Sequence, residues 1–327
     1  MDISVIIPVT RNESLLKCLD GFNQQQTNYE FEVIAIGAVS ENNIIINPKY
    51  KLTLIPCSDT HANLRRNIGV RQANANIIGL LDDDCIPEPS WIQQAVKNST
   101  RGIITGYEIP YNKEENFSNL SHKILSSKFG EFTRTHINTK EEKVNWYDIA
   151  FCNCIMPKKA WELTNGFSEK IPWDMDDFHF CYRMRNNYLF FNQPDLIVKH
   201  DRYPNSFAKL MQYKWKLRKR TGEKIITHSE IYCRVPSVVV AALAPYLLFI
   251  ILSVCFLLCP EFLLIAVLLY MLPPVIISTN GFHIFRWKEI LISILIYSGV
   301  HIVTVLAIQA GMLKAFISLF NKRYVNN

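Results

Sequence analysis

The chain has 327 residues with 35 basic and 29 acidic side chains, which gives a formal net charge of +6 at pH 7. This excess is modest, and eight of the basic residues lie within 209–234, directly before a long apolar run. Such a cluster favours anionic lipid headgroups over nucleic acid as the partner. Nine cysteines stand at irregular spacing without a complete zinc-ligand pattern, so we expect reduced thiols.

The first 200 residues alternate short apolar strands with helical stretches. Strands are predicted at 3–9, 31–37, 51–56 and 76–81, and helices at 13–25 and 61–74. This alternation predicts an α/β domain with a Rossmann-like, mostly parallel sheet and helices on both faces. The carboxyl ends of the strands line the ligand crevice in such sheets, so candidate site residues are sought there.

Three consecutive acids, Asp82, Asp83 and Asp84, follow the apolar strand at 76–81. Carboxylates this close repel one another unless positive charge lies among them, which indicates a bound cation. Carboxylate oxygens placed beside a phosphate-bearing substrate suit Mg²⁺ or Mn²⁺ as this cation. A solvated turn is the alternative interpretation of the same three residues.

The last third of the chain is hydrophobic. Uncharged runs cover residues 235–260, 262–285 and 290–313. Each is longer than the roughly 20 residues that cross a bilayer, so 235–327 is predicted to be a membrane region with two to three transmembrane helices. Buried core helices are the alternative. The N-terminus lacks the basic region and apolar length of a signal peptide, and the basic cluster should stay inside. We therefore expect a multi-pass cell-membrane protein whose first domain is cytoplasmic.

A basic helix is predicted within 203–234, before the first of these runs. Its apolar residues recur at helical spacing with lysines and arginines between them: Phe207, Leu210, Met211 and Trp215. This pattern is typical of a helix that lies in the membrane interface.

Four stretches, taken together and in this order, resemble family 2 glycosyltransferases of the GT-A fold. They are "SVIIPVTRNESLLKCLDGFNQQ" (4–25), "EVIAIG" (32–37), "LRRNIGVRQANANIIGLLDDDCIP" (64–87) and "NGFSEKIPWDMDDFHFCYRMR" (165–185). The resemblance runs to about residue 222, which we take as the end of the GT-A domain. It implies a nucleotide-diphospho-sugar donor, Mn²⁺ or Mg²⁺ at an Asp-x-Asp motif, and an acidic general base.

The resemblance also implies which residues bind the nucleotide sugar. Pro8, Thr10 and Glu13 match the loop that wraps the nucleoside. Arg66 and Asn67 match the segment that borders the base and the diphosphate. Glu13 also suits the start of the following helix, where an acid complements the helix dipole.

The metal ligands follow from the same comparison. Asp82 and Asp84 match the two motif acids, with Asp84 the better metal ligand and Asp82 closer to the ribose. Asp83 takes the variable middle position within the nucleotide-sugar site. His200 matches a histidine that follows the last strand and approaches the metal or diphosphate, and a structural histidine is the alternative.

The catalytic acids are placed in the second half of the chain. Asp177 matches the general base and Asp176 its partner in the acidic pair, although both also suit the cap of a helix that starts near Phe178. Asn153 is a candidate sugar contact, and Trp173 is a candidate stacking surface for an acceptor ring.

One position departs from the family pattern. The strand "EVIAIG" ends in Gly37 and is followed by Ala38 and Val39, where relatives usually carry an acid that contacts the base or ribose. We expect an inverting, metal-dependent transferase that acts on a lipid-linked or glycan acceptor near the bilayer. A catalytically inactive scaffold and a processive polysaccharide synthase are the alternatives, and the lack of a Gln-x-x-Arg-Trp string favours transfer of single sugars.

Overall fold

The computed structural model describes residues 1–39, 49–111, 116–125, 142–171, 175–200, 204–236, 238–240, 242–243, 246–247 and 287–325, with only the backbone at 116, 287–290 and 320–325. The strands are β1 (Ile3–Val9), β2 (Phe31–Gly37), β3 (Lys51–Pro56), β4 (Ile77–Leu81), β5 (Cys85–Pro87), β6 (Ile103–Pro110), β7 (Glu142–Val144), β8 (Asn153–Pro157) and β9 (Phe190–His200). The helices are α1 (Asn12–Asn23), α2 (Ala62–Gln72), α3 (Trp91–Asn98), α4 (Asn116–Leu125), α5 (Lys158–Leu163), α6 (Asp176–Met184), α7 (Phe207–Thr227), α8 (Ser229–Tyr232) and α9 (Trp287–Val325).

The chain divides into two compact units. The first contains Met1–Tyr111 and Ile137–Arg202, and the second contains Asn112–His136 and Tyr203–Asn327. Residue 222, the predicted end of the first domain, lies inside α7.

The first unit is a mixed α/β sheet in the order β3-β2-β1-β4-β8-β6-β9-β5, with β7 paired to β9. Strands β1 to β4 are parallel to their neighbours among themselves, and β8 joins β4 antiparallel. The predicted α/β class, the four strands and the two helices are confirmed, with small shifts at their ends.

Helices cover both faces of this sheet. Successive side chains of a strand point to opposite sides, so one strand packs against helices on both faces. In β1, Val5 and Ile7 pack in one buried cluster with Leu15 of α1 and Trp91 of α3. Ile6 packs in a second cluster, which includes residues of α2, α5 and α6. A strand buried on both faces reads as a continuous apolar run, and β1 shows this pattern.

The carboxyl ends of β1 and β4 lie side by side at one edge of the sheet. Their parallel register pairs Ile3 with Ile77 and Ile6 with Leu80. The segments that follow these strands therefore meet at the same edge. They carry Thr10 after β1 and the three acids after β4.

The second unit pairs α7 with α9 at very short range. A Cβ built on Gly222 would lie 2.0 Å from the carbonyl oxygen of Ile308, and one on Gly311 would lie 1.9 Å from that of Lys219. Glu223 and Lys314 form an ion pair at 2.9 Å next to these contacts. Only glycine at both positions permits this approach of the two backbones.

One helix in the described part of the chain, Leu291–Leu319 within α9, is long and apolar enough to cross a membrane by length and composition. Its exposed side carries a stripe of large aliphatic residues, and its other side packs within the unit. This helix contains the third uncharged run and is compatible with a membrane anchor. The run at 262–285 lies outside the described residues, and the run at 235–260 is described only at 235–236, 238–240, 242–243 and 246–247.

The predicted interfacial helix corresponds to α7. Lys209, Tyr213, Trp215, Lys216 and Arg220 are exposed along it. An aromatic and basic surface of this kind suits lipid headgroups, and the interfacial position stays a prediction.

Gly37 ends β2 with a φ of +138°, a conformation that residues with a side chain rarely adopt. A Cβ at this position would lie 2.3 Å from the carbonyl oxygen of Val9 and 2.8 Å from Cζ of Arg65. The Arg65 guanidinium packs here because it donates to the carbonyl oxygens of Val9 and Asp59. The glycine is therefore required by the backbone and by Arg65, and an acid does not fit.

We expect Gly37→Ala to lower the melting temperature of the full chain in detergent micelles by about 5–10 °C, since a strained φ and a backbone clash cost a few kcal/mol. Ala38→Ser, at the exposed neighbouring position, should melt within about 1 °C of the wild type by the same scale. Equal melting of the two variants would show that the strand end tolerates a side chain.

Candidate active site

The three acids after β4 each have a different partner. Asp82 pairs with Arg66, Asp83 accepts hydrogen bonds from the loop after β1, and Asp84 pairs with Arg11 and His200. The predicted repulsion among the carboxylates is thus relieved in part by side chains of the protein itself.

Asp83 holds the loop between β1 and α1. Its Oδ2 accepts hydrogen bonds from the backbone N–H of Thr10 at 2.6 Å, the Thr10 hydroxyl at 2.9 Å and the backbone N–H of Arg11 at 2.8 Å. The side chain is buried. In this structure Asp83 shapes the predicted nucleoside loop from within, and its direct contact with a nucleotide stays a prediction.

Asp84 lies between two basic side chains. Its Oδ1 is 3.3 Å from Nε2 of His200, and its Oδ2 is 3.3 Å from Nη2 of Arg11. Burial alone would raise the pKa of the Asp84 carboxyl, but His200 and Arg11 outweigh it and the pKa is lowered. Asp84 is therefore ionised at neutral pH, as a metal ligand must be.

His200 is buried between two carboxylates. Its Nδ1 lies 2.8 Å from Oε2 of Glu108, opposite the Nε2 that faces Asp84. Cys152 donates its thiol to Oε1 of Glu108 at 3.1 Å. Burial opposes the charged imidazole, yet hydrogen bonds to Asp84, Cys152 and Glu108 raise the pKa of His200 well above its usual value.

Arg66 on α2 joins the acids of the first half to those of the second. Its Nη2 donates to Oδ1 of Asp82 at 3.1 Å, and its Nη1 forms a short ion pair with Oδ2 of Asp176. The guanidinium is buried and stacks near the ring of Phe151. Burial alone would lower the pKa of Arg66, but Asp176 and Asp82 raise it.

Asp176 and Asp177 form the first turn of α6. Oδ1 of Asp176 accepts the backbone N–H of Asp177 at 3.0 Å, and Oδ1 of Asp177 accepts that of Phe178 at 2.8 Å. Both acids thus stabilise the helix start, where negative charge complements the dipole. The helix begins at Asp176, two residues before the predicted start, and its N-cap is Met175 without a side-chain cap bond, so the predicted cap role of the two acids is wrong.

The structure brings eight of the predicted site residues into one chain of contacts and sequence neighbours. They are Thr10, Arg66, Asp82, Asp83, Asp84, Asp176, Asp177 and His200. Arg11, Glu108 and Cys152 belong to the same group and were not predicted. Arg11 and Cys152 could have been found from sequence, as they adjoin Thr10 and Asn153, but Glu108 is 92 positions from His200 and 44 from Cys152.

Asn67 and Asn153 lie in buried amide networks. The Asn67 amide donates to the Phe167 carbonyl and to Glu169, and its oxygen accepts from Trp161 and from the Phe167 N–H. The Asn153 amide binds Trp91 and the carbonyls of Tyr107 and Leu196. These bonds use the hydrogen-bonding groups that a ligand would need, so the predicted nucleotide and sugar contacts stay predictions.

The remaining predicted residues occupy different settings. Pro8 is buried within β1, where it lies opposite Ile36 of β2. Glu13 is exposed in the first turn of α1, as expected for an acid that complements the helix dipole. Trp173 lies outside the described residues.

The donor set at Asp84 and His200 fits a divalent cation. A carboxylate oxygen and an imidazole nitrogen 3.3 Å apart have nearly the separation of two adjacent ligands in a six-coordinate shell, about 3 Å for bonds of roughly 2.1 Å. Carboxylate suits Mg²⁺ and Mn²⁺, whereas imidazole suits transition metals, so the pair favours Mn²⁺ over Mg²⁺.

Comparison with known proteins agrees with this geometry. Residues 4–163 match the family Glycosyl transferase family 2. Chondroitin synthase from Escherichia coli is 25% identical over 242 residues, which cover 62% of this chain and 35% of that protein. The chain thus spans about a third of the length of this relative.

The similar solved structures include the following two proteins. The mannosyltransferase PcManGT from Pyrobaculum calidifontis, in complex with GDP-Man and Mn²⁺, is 17% identical, with 95% of this chain and 87% of that chain covered at a TM-score of 0.53. A fragment of TarS from S. aureus is 14% identical, with 67% and 64% covered at a TM-score of 0.45. The family match covers residues 4–163, and together with the mixed sheet the likeness to PcManGT shows that the chain has the GT-A fold.

Proposed function

We propose that this chain transfers a sugar, with inversion at the anomeric carbon, from a nucleotide-diphospho-sugar to a hydroxyl of an acceptor, and that it requires Mn²⁺ or Mg²⁺. The observation that carries the proposal is the set of ion pairs made by the acids that follow β4: Asp84 pairs with His200, and Asp82 pairs with Arg66, which also binds Asp176. These pairs connect a candidate cation site to an acidic pair, and the reaction needs both components. The GDP-Man and Mn²⁺ complex of PcManGT supports the donor class and the cation.

Asp84 and His200 would hold the cation, with Asp82 beside it. When bound, the cation offsets the charge that develops on the departing diphosphate. Thr10 and Arg11 lie in the loop that would border the nucleotide. Their backbone N–H groups donate hydrogen bonds to Asp83 and so fix this loop. The exposed guanidinium of Arg11 is close enough to Asp84 to contact a phosphate at the same site.

Asp177 is the better general base of the acidic pair. Asp176 binds Arg66 with one oxygen and the Asp177 N–H with the other. A carboxylate engaged in this way orients the site and is poorly placed to take a proton. Asp177 would accept the proton of the acceptor hydroxyl as its oxygen attacks the anomeric carbon, and inversion requires no protein nucleophile.

The lack of an acid at Gly37 and Ala38, at the end of β2, is compatible with activity. Gly37 is required by its own backbone conformation and by its contact with Arg65. The carboxylates of Asp82, Asp84 and Asp176 are all present. A scaffold without catalysis would have no reason to keep a buried ion pair and a cation site together. The base of the nucleotide would be recognised by residues other than an acid at the end of β2.

Membrane attachment would place the site near its acceptor. The apolar helix within α9 supports an anchor, and the exposed basic and aromatic side chains of α7 suit anionic headgroups. We propose a multi-pass protein with its GT-A domain in the cytoplasm and a lipid-linked or membrane-proximal glycan as acceptor.

A processive synthase is the second candidate, because the chain is similar to a chondroitin synthase. Product length separates the two candidates. Release of nucleoside diphosphate from a panel of nucleotide sugars, with and without Mn²⁺ and in lipid-containing micelles, should identify one donor. The product should be extended by one sugar, and a ladder of longer products would favour the synthase.

We expect Asp84→Asn to weaken Mn²⁺ binding at least about tenfold, because loss of a direct ligand should cost no less than loss of a residue that supports one. Asp83→Asn should change Mn²⁺ affinity far less and should instead lower the melting temperature, since Asp83 holds the Thr10 loop. Calorimetric titration of Mn²⁺ into the full chain with UDP or GDP compares these adjacent, isosteric changes. A larger loss of metal affinity in Asp83→Asn would contradict the assignment.

We expect Asp177→Asn to lower sugar transfer by about a hundredfold to ten-thousandfold while nucleotide and Mn²⁺ affinities stay nearly unchanged, because the change removes only a proton acceptor. Asp176→Asn should instead affect acceptor binding and stability, since it loosens Arg66. Transfer rate and nucleotide affinity are measured for both variants with the donor found above. Near-normal transfer by Asp177→Asn, with loss in Asp176→Asn, would show that the assignments are reversed.

A further inference from the structure

Strands β6 and β9 bring Glu108 and His200 to the same face of the sheet. The parallel register pairs Glu108 with Val198 and Pro110 with His200. Since side chains alternate along a strand, Glu108 and His200 are diagonal neighbours on one side. Their Oε2 and Nδ1 atoms lie 2.8 Å apart, and the two residues are separated by 92 positions in sequence.

Both residues are buried, with 4% of Glu108 and 6% of His200 exposed. A buried carboxylate is costly unless its oxygens are bonded, and both oxygens of Glu108 have partners. Oε2 contacts His200, and Oε1 accepts the thiol of Cys152. Glu108 is therefore held in place from two sides.

The two nitrogens of the His200 ring have distinct partners. A proton held between Nδ1 and Glu108 leaves Nε2 as the nitrogen that a cation can bind in exchange for the Nε2 proton, and Nε2 faces Oδ1 of Asp84 at 3.3 Å. A carboxylate in this position fixes the orientation of a metal-binding histidine and raises its strength as a ligand.

We propose that Glu108 is a positioning residue for the metal site, which presents Nε2 of His200 beside Asp84 and thereby raises the affinity for Mn²⁺. The inference rests on the proposed function, because it takes Asp84 and His200 as the ligands. Cys152 supports Glu108 in this task by occupying its second oxygen.

Glu32 offers a matched control. It is a second buried carboxylate in the same unit and contacts Ser4, Lys51 and Asn74, none of which belongs to the candidate site. Glu32→Gln should therefore disturb a buried carboxylate network to a similar degree without touching the metal ligands.

The test measures Mn²⁺ alone, by the loss of its free electron paramagnetic resonance signal on addition of the full chain in detergent micelles. We expect Glu108→Gln to weaken Mn²⁺ binding about tenfold to a hundredfold, and Glu32→Gln to leave it within about twofold. Glu108→Asp keeps the buried charge but withdraws the oxygen from Nδ1, so it should also weaken binding even if the Gln variant folds poorly. Electron spin echo modulation from a ring nitrogen should be present in the wild type and in Glu108→Gln, and absent in His200→Ala.

The outcomes separate the two levels of the proposal. If Asp84→Asn and His200→Ala weaken Mn²⁺ binding but Glu108→Gln and Glu108→Asp behave as Glu32→Gln does, the positioning role is wrong and the metal site stands. If Asp84→Asn and His200→Ala also bind normally, the proposed metal site itself is wrong. Loss of binding in Glu108→Gln with only a small loss in His200→Ala would make Glu108 a ligand and overturn the positioning role.

Discussion

The buried guanidinium of Arg66 is the interaction on which the rest of the site depends. It pairs with Asp82 after β4 and with Asp176 at the start of α6, and these two acids are 94 positions apart in sequence. Removing one partner of a buried ion pair costs about 3–5 kcal/mol, because the remaining charge is left without compensation. With Arg66 absent, two carboxylates would face each other with no cation of the protein between them. The charge balance that holds the start of α6 beside the central strands would then be lost.

Arg66 also separates the tasks of acids that look equivalent in sequence. Because it engages Asp82 and Asp176, we propose the neighbouring acids Asp84 and Asp177 for the cation and for the proton. Asp83 is used in a third way, to hold the loop at Thr10. Each adjacent acid thus has its own environment, and environment rather than residue type decides what a carboxylate does.

Much of the fold could be predicted from the sequence, and the reasons are local. Strands β1, β2 and β4 are continuous apolar runs because both faces of the sheet are covered, and the resemblance to a family orders the motifs along the chain. The pairing of Glu108 with His200 could not be predicted, since it follows from the register of β6 and β9 over 92 residues. Motif matching selected Asn67 and Asn153 as candidate site residues but gave no information on where their amides point. In the structure both amides bind neighbouring parts of the protein.

The most direct test of this account is the position of Mn²⁺ by anomalous scattering, in crystals of the full chain grown with Mn²⁺ and UDP or GDP. We expect the anomalous peak beside Asp84 and His200, with Arg66 still in contact with Asp82 and Asp176. A peak between Asp82 and Asp176, with Arg66 displaced from both, would contradict the central claim that Arg66 reserves these two acids and leaves Asp84 to the metal.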